Sequence, residues 1–185
     1  MAEESEEPKF EEEEPEAEEP FAGEGFAEGE LGDLQPPEGF PEDRGEPLEE
    51  HEVKVMGVYE QQEQGGRKNA FVLLRDSRGR SVLIMIGHFE AFAISVALEG
   101  KTADRPMTHD LMNSIVNRLG GRVERILIDD LWHNTYYAKI DVALNGKMVQ
   151  IDSRPSDAIA LGIRAKAPIF MAETVLQQAA VQEEF

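Results

Sequence analysis

Nearly all of the charge imbalance of this chain is confined to its first 50 residues, which carry 21 acidic side chains against only Lys9 and Arg44. Residues 51–185 carry 17 acids and 16 bases. The acidic stretch contains Glu11-Glu12-Glu13-Glu14, most of the prolines and only isolated aromatics, Phe10, Phe21, Phe26 and Phe40. Such a segment cannot bury enough apolar surface to offset the entropy lost on ordering it. Residues 1–50 are therefore expected to form a disordered, low-complexity acidic tail, and residues 51–185 one domain of common size. The tail is either a solvated linker or a polyanion competing with nucleic acid for a basic groove.

No apolar run approaches the roughly 20 residues that a membrane-spanning helix needs, and no basic start followed by an apolar stretch suggests a leader. A soluble, cytoplasmic protein with no membrane partner is expected. The sequence has no cysteine, which removes disulfides and thiolate zinc sites. No phosphate-binding loop, dinucleotide fingerprint, zinc-protease motif or nucleophile elbow is present, so no organic cofactor is expected.

Within 51–185, alternation predicts a strand at 53–60, and two more follow at 70–74 and 81–86 around the loop 65–69 and the turn 77–80. The nearly continuous apolar run at 81–86 predicts burial on both faces. The period then becomes helical over 87–98, where Phe89, Phe92, Ala93, Val96 and Ala97 share a face and Gly100 ends the helix. Thr108 is the expected N-cap of a second helix, whose stripe Leu111, Met112, Ile115, Val116 and Leu119 should lie on the sheet. A strand at 122–131, untidy in phase at Ile126-Leu127-Ile128, turns through 132–134 into a strand at 135–144. Asn145-Gly146 is the strongest hairpin signal. It leads to a strand at 147–151, a short helix at 158–164, a short edge strand at 169–171 and a closing helix at 173–181. Hairpins with helices between them predict an α+β fold: one compact domain of mixed and antiparallel strands with helices packed on the sheet.

The densest polar motif is Asp152-Ser153-Arg154-Pro155-Ser156-Asp157-Ala158, at the junction of strand and helix. Capping explains part of it. Ser153 suits an N-cap, Pro155 suits the first turn, and Asp157 meets the positive end of the helix dipole. Asp152, Arg154 and Ser156 need another reason. A second Arg-Pro start, Arg105-Pro106-Met107-Thr108-His109-Asp110, opens the helix before it.

These motifs, with Gly87-His88-Phe89-Glu90-Ala91 and Tyr136-Tyr137-Ala138, resemble the bifunctional nuclease domain family, and the resemblance runs in order over about 53–176. Gly162 departs from it, standing where alanine is usual. The resemblance implies a compact α+β domain, a homodimer, and cleavage of both DNA and RNA. Such an enzyme cannot depend on a substrate 2′-hydroxyl, so a water activated by Mg2+ or Mn2+ is the economical nucleophile. Glu90, Asp110 and Asp152 are candidate metal ligands. His109, Asp110, Asp152 and Asp157 are candidate catalytic residues, with neutral His109 as the base, and Arg105, Arg154 and Ser156 would bind substrate.

Each assignment has a structural rival. Arg105 and Arg154 could pair with Asp110, Asp152 or Asp157, His109 could be a capping or hydrogen-bonded residue, and Glu90 a solvated residue or a partner for an arginine. Either Tyr136 or Tyr137 belongs to the core, and the other could stack on a base or line a dimer seam. Arg67, Lys68, Arg75, Arg78 and Arg80 could track phosphates; His51 and His133 are read as surface residues, and Asp129-Asp130 as strand-end residues. The competing function is non-enzymatic, a regulatory or scaffold domain binding a protein or a small anionic ligand, which a near-neutral domain under an acidic tail favours.

Overall fold

The computed structural model describes residues 48–62, 68–101 and 103–181. The expected disordered tail therefore falls, over 1–47, outside the described residues. Glu50 already opens the first strand, three residues before the position where alternation becomes legible.

Two three-stranded meanders make up most of one seven-stranded sheet. The first is β1 (Glu50–Gln62), β2 (Lys68–Asp76) and β3 (Ser81–Ile86); the second is β4 (Gly121–Trp132), β5 (Thr135–Leu144) and β6 (Lys147–Ser153). Helices α1 (His88–Leu98) and α2 (Thr108–Arg118) connect them, and α3 (Pro155–Ala165), β7 (Ile169–Ala172) and α4 (Glu173–Ala179) follow. The α+β expectation holds. In the second meander both hairpins close through two residues with positive φ, His133-Asn134 (47° and 61°) and Asn145-Gly146 (51° and 74°). That is the turn whose twist matches the strands it joins.

The strand order is β3-β2-β1-β7-β4-β5-β6. β7 is thus not the edge strand that its length suggests: it lies at the centre and stitches the two meanders together, with Ile169 opposite Val53 on one side and Ile126 on the other. Four residues suffice because the strand only bridges, and Met171 and Ala172 are fully buried. The deciding information is non-local, since α3 carries the chain back across the sheet. Its pairing with β4 is parallel, whereas every other neighbouring pair is antiparallel. Central position also accounts for the untidy phase of β4: Ile126, Leu127 and Ile128 are all buried, between register shifts at 123/125 and 128/130.

Three expected burial patterns are corrected. β3 is a sheet edge, with Val82 and Ile84 inward but Leu83 exposed and Met85 66 % exposed. On α1 the inward residues are Ala91, Ala93 and Ile94, while Phe89 is 89 % exposed and Phe92 also faces solvent. Small residues win that face because α1 packs closely on α3. On α2 the stripe Leu111, Met112, Ile115 and Leu119 is exposed; Val116 packs on the core and His109 is the buried residue. Gly162 has a local reason: a Cβ there would stand 2.6 Å from Ile126 Cγ1, so its absence lets α3 sit tightly on β4.

Candidate active site

Three helix N-termini meet at one cleft. The residues preceding α1, α2 and α3 are Gly87, Met107 and Arg154, all in extended conformation. Each helix carries a carboxylate in its first turn, Glu90, Asp110 and Asp157 respectively, where the dipole favours it. Thr108 and Ser153 are not the N-caps expected of them. Asp110 reaches back instead, its Oδ2 accepting the Met107 N–H at 3.0 Å, and Ser153 Oγ donates to the Arg154 carbonyl at 3.1 Å. Gly87 leaves space that Glu90 uses, because a Cβ at Gly87 would run into Glu90 Oε2.

The cleft has a volume of about 740 Å3, and Glu90, His109, Asp152, Arg154 and Asp157 line it. Its apolar wall is Phe89, Phe92 and Met112, the same residues that periodicity assigned to the core. A continuous relay joins the helix starts. His109 Nε2 lies 3.2 Å from Asp157 Oδ1, Arg154 Nε donates to Asp157 Oδ2 at 2.6 Å, and Arg154 Nη1 lies 3.0 Å from Glu90 Oε1. Burial opposes ionisation of Asp157, but the hydrogen bonds from Arg154 and His109 outweigh it and hold the carboxyl below its ordinary pKa. The bond to Asp157 in turn raises the pKa of the Arg154 guanidinium. An ionised Asp157 can only accept, so His109 Nε2 carries the proton and Nδ1 is the basic nitrogen of the neutral ring.

The remaining sequence candidates lie elsewhere. Asp110 accepts from Arg164 Nε at 2.7 Å and does not line the cleft. Arg105 is exposed in the loop before α2 and does not line it either. Ser156 is buried and borders a neighbouring cavity. Glu90, Asp110 and Asp152 do not converge as three metal donors; among the described residues the one such group is Glu49, His51 and Glu173. There both Glu173 oxygens already bind Arg80, at 2.9 Å each. His51 is accordingly no bare surface residue, since its Nε2 lies 2.7 Å from Glu173 Oε2. Asp129 pairs with Lys139 at 3.1 Å inside β4, where burial pushes its carboxyl pKa up.

Arg164 does not line the cleft, but it is the residue behind the three helix starts that sequence reading missed. Its side chain is buried and ties three helices together, donating to Asp110, to the Ala160 carbonyl at 2.9 Å and to the Ala93 carbonyl at 3.1 Å. The available signal was its place two helical turns after Asp157, on the same face of α3.

The sequence matches the bifunctional nuclease domain over residues 72–184. The chain belongs to the bifunctional nuclease domain family. An uncharacterized protein of Mycobacterium tuberculosis is 36 % identical over 129 residues, which is 69 % of this chain and 75 % of that protein. Bifunctional nuclease 1 of Oryza sativa subsp. indica is 28 % identical over 103 residues, covering 53 % of this chain and 31 % of the plant protein. Bifunctional nuclease 1 of Arabidopsis thaliana is 25 % identical over 99 residues, 52 % of this chain and 30 % of its own length. All the cleft-lining residues of this bifunctional nuclease domain fall inside the matched region, whereas β1 lies before it.

Proposed function

We propose that the domain hydrolyses phosphodiester bonds of DNA and RNA with low sequence selectivity, at the cleft where α1, α2 and α3 begin. The observation that carries this reading is the His109–Asp157–Arg154 relay on a cleft faced by three helix N-termini. A helix start attracts a phosphate through its free N–H groups and dipole, and three of them around one guanidinium add in the same direction. Arg154 holds the scissile phosphate and meets the charge that builds on its oxygens as the attacking water bonds to phosphorus. His109, oriented by Asp157, takes the water's proton at Nδ1. The P–O bond to the leaving oxygen then breaks, and that oxygen is protonated from solvent.

A caged metal ion does not fit the carboxylates present, because Glu90 and Asp157 both bind Arg154 and Asp110 binds Arg164. Asp152 is different: it is exposed, it lines the cleft, and among the described residues no cation pairs with it. It fits a Mg2+ or Mn2+ ion that arrives with the substrate phosphate and otherwise keeps its waters. Such an ion would lower the pKa of a bound water.

The test is the purified chain with single- and double-stranded DNA and RNA, in Mg2+, Mn2+ or a chelator. Cleavage is expected with metal, and Asp152→Asn and His109→Ala should each slow it by about 100-fold or more. Folded variants that cut at the wild-type rate would remove this site, and no cleavage in any metal would favour the binding-domain alternative.

We also propose a homodimer in a cytoplasmic setting. Among the described residues no helix is long and apolar enough to cross a membrane, and the sequence has no cysteine to oxidise. The exposed α2 stripe supplies the dimer surface, with Leu119 71 % exposed. Light scattering should give twice the chain mass for wild type and the monomer mass for Leu119→Glu; a monomeric wild type would refute the dimer. Fractionation of cells expressing a tagged chain checks the compartment.

A further inference from the structure

A second cavity, of about 600 Å3, lies on the other side of Arg154, between β3, the tip of the β4–β5 hairpin and the start of α3. Glu90 and Arg154 line both this cavity and the candidate active-site cleft, so their ion pair is the shared wall. We propose that this cavity receives one base of a single-stranded nucleic acid whose adjoining phosphate is held at Arg154. The inference rests on the nuclease reading and adds to it a strand preference and a base subsite.

The chemistry of the lining argues for a base. Leu83, Met85, Leu131 and Tyr136 give the cavity an apolar lining, while Asn134, Thr135 and Ser156 offer donors and acceptors. Arg154 is the one cation among the lining residues. A ligand matching that pattern has a planar apolar body, hydrogen-bonding edges and a negative charge at one end, which describes a nucleotide within a chain. The volume is in the ordinary range of ligand pockets. Tyr136 crosses from β5 toward β3, its hydroxyl 3.5 Å from the Leu83 carbonyl, and this leaves its ring as a wall of the cavity. Asn134, also in the lining, belongs to a tight two-residue turn in which both φ values are positive.

Single strands follow from the same geometry, because a base paired and stacked in a duplex cannot turn its face to Tyr136, whereas an unpaired base can. A peptide adding as an extra strand is the less favoured occupant. The edge it would use is partly taken, since Ser81 bridges Val181 and Leu83 O already faces the Tyr136 hydroxyl.

Fluorescence anisotropy of the full chain tests this, with short fluorescein-labelled single-stranded DNA and RNA and the matching duplex, in chelator so that nothing is cut. Single strands are expected to bind at least about tenfold more tightly than duplex, and Tyr136→Ala to weaken them roughly ten- to hundredfold while Tyr136→Phe binds like wild type. Tyr136 packs against the core, so Met85→Glu, on an exposed side chain, provides a second variant and should weaken single strands similarly without loss of fold. Equal affinity for single strands and duplex, or wild-type single-strand binding by folded Met85→Glu, overturns the base subsite while leaving the nuclease reading intact. Failure to bind any of these oligonucleotides, together with absence of cleavage, overturns both.

Discussion

Three arginines among the described residues each stand between two carboxylates, Arg80, Arg125 and Arg154, and the first and the last of them do opposite things. Arg80 is enclosed, with its side chain 19 % exposed: Nε donates to Asp76 at 2.8 Å, and Nη1 and Nη2 grip the two oxygens of Glu173. Asp76 also accepts the N–H groups of Arg78 and Arg80, so this network closes the β2–β3 turn and fastens it to the start of α4. Arg154 has the same chemistry with its side chain 66 % exposed, bonded through Nε to Asp157 and through Nη1 to Glu90. Among the described residues no hydrogen bond involves its Nη2. Exposed ion pairs are individually weak, about 0–1 kcal/mol, so Arg154 can exchange a carboxylate for a phosphate at small cost. The Arg80 network cannot be loosened without opening the turn. Guanidinium–carboxylate pairing alone therefore says nothing about duty; enclosure and unused donors decide it.

The sharpest way to break this contrast is a crossed pair of variants. Arg154→Ala should lower nucleic-acid cleavage roughly 100- to 1000-fold and move Tm by no more than about 2 °C. Arg80→Ala should do the reverse, lowering Tm by roughly 5–10 °C while the folded protein keeps whatever cleavage rate the wild type shows. Calorimetry and a cleavage assay on the same preparations read both. If Arg80→Ala loses activity at a temperature where it is folded, or Arg154→Ala melts like Arg80→Ala, the division between structural and functional arginine is wrong.

Sequence made the two regions unequally legible. The candidate cleft announced itself, because two Arg-Pro helix starts with acids beyond them are local patterns, and Glu90, His109, Asp152, Arg154 and Asp157 do share one cavity. Which arginine serves it was not local information: Arg105 and Arg154 look alike in sequence, yet Arg105 does not line the cleft, and Arg164 was hidden at the end of an apolar helix. The Arg80 network was illegible, since it joins a turn to Glu173, 93 residues later. Strand positions followed from alternation and turn residues, but the central place of β7 did not, because pairing order is set by where α3 delivers the chain. The outward aromatics of α1 show the limit of periodicity: it finds a face of a helix but not the partner, and against α3 the partner favoured alanine.

The smallest expected effect separates the two networks by acid. The grip of Arg80 holds the Glu173 carboxyl down from 4.5 to about 2. A carboxyl whose pKa is lower folded than unfolded contributes stability that is complete above its ordinary value and is lost as pH falls through the folded one. Glu173 should therefore cost the protein stability between about pH 4.5 and 2. Asp157 is also lowered, but its burial works against the bonds from Arg154 and His109, so its share of the acid slope is the lesser. Urea midpoints measured from neutral pH down through this window should fall less steeply for Glu173→Gln than for wild type, with Asp157→Asn between them. A Glu173→Gln slope parallel to wild type would mean that Arg80 does not hold this carboxylate in solution, and the contrast between an enclosed and an available arginine would lose its structural half.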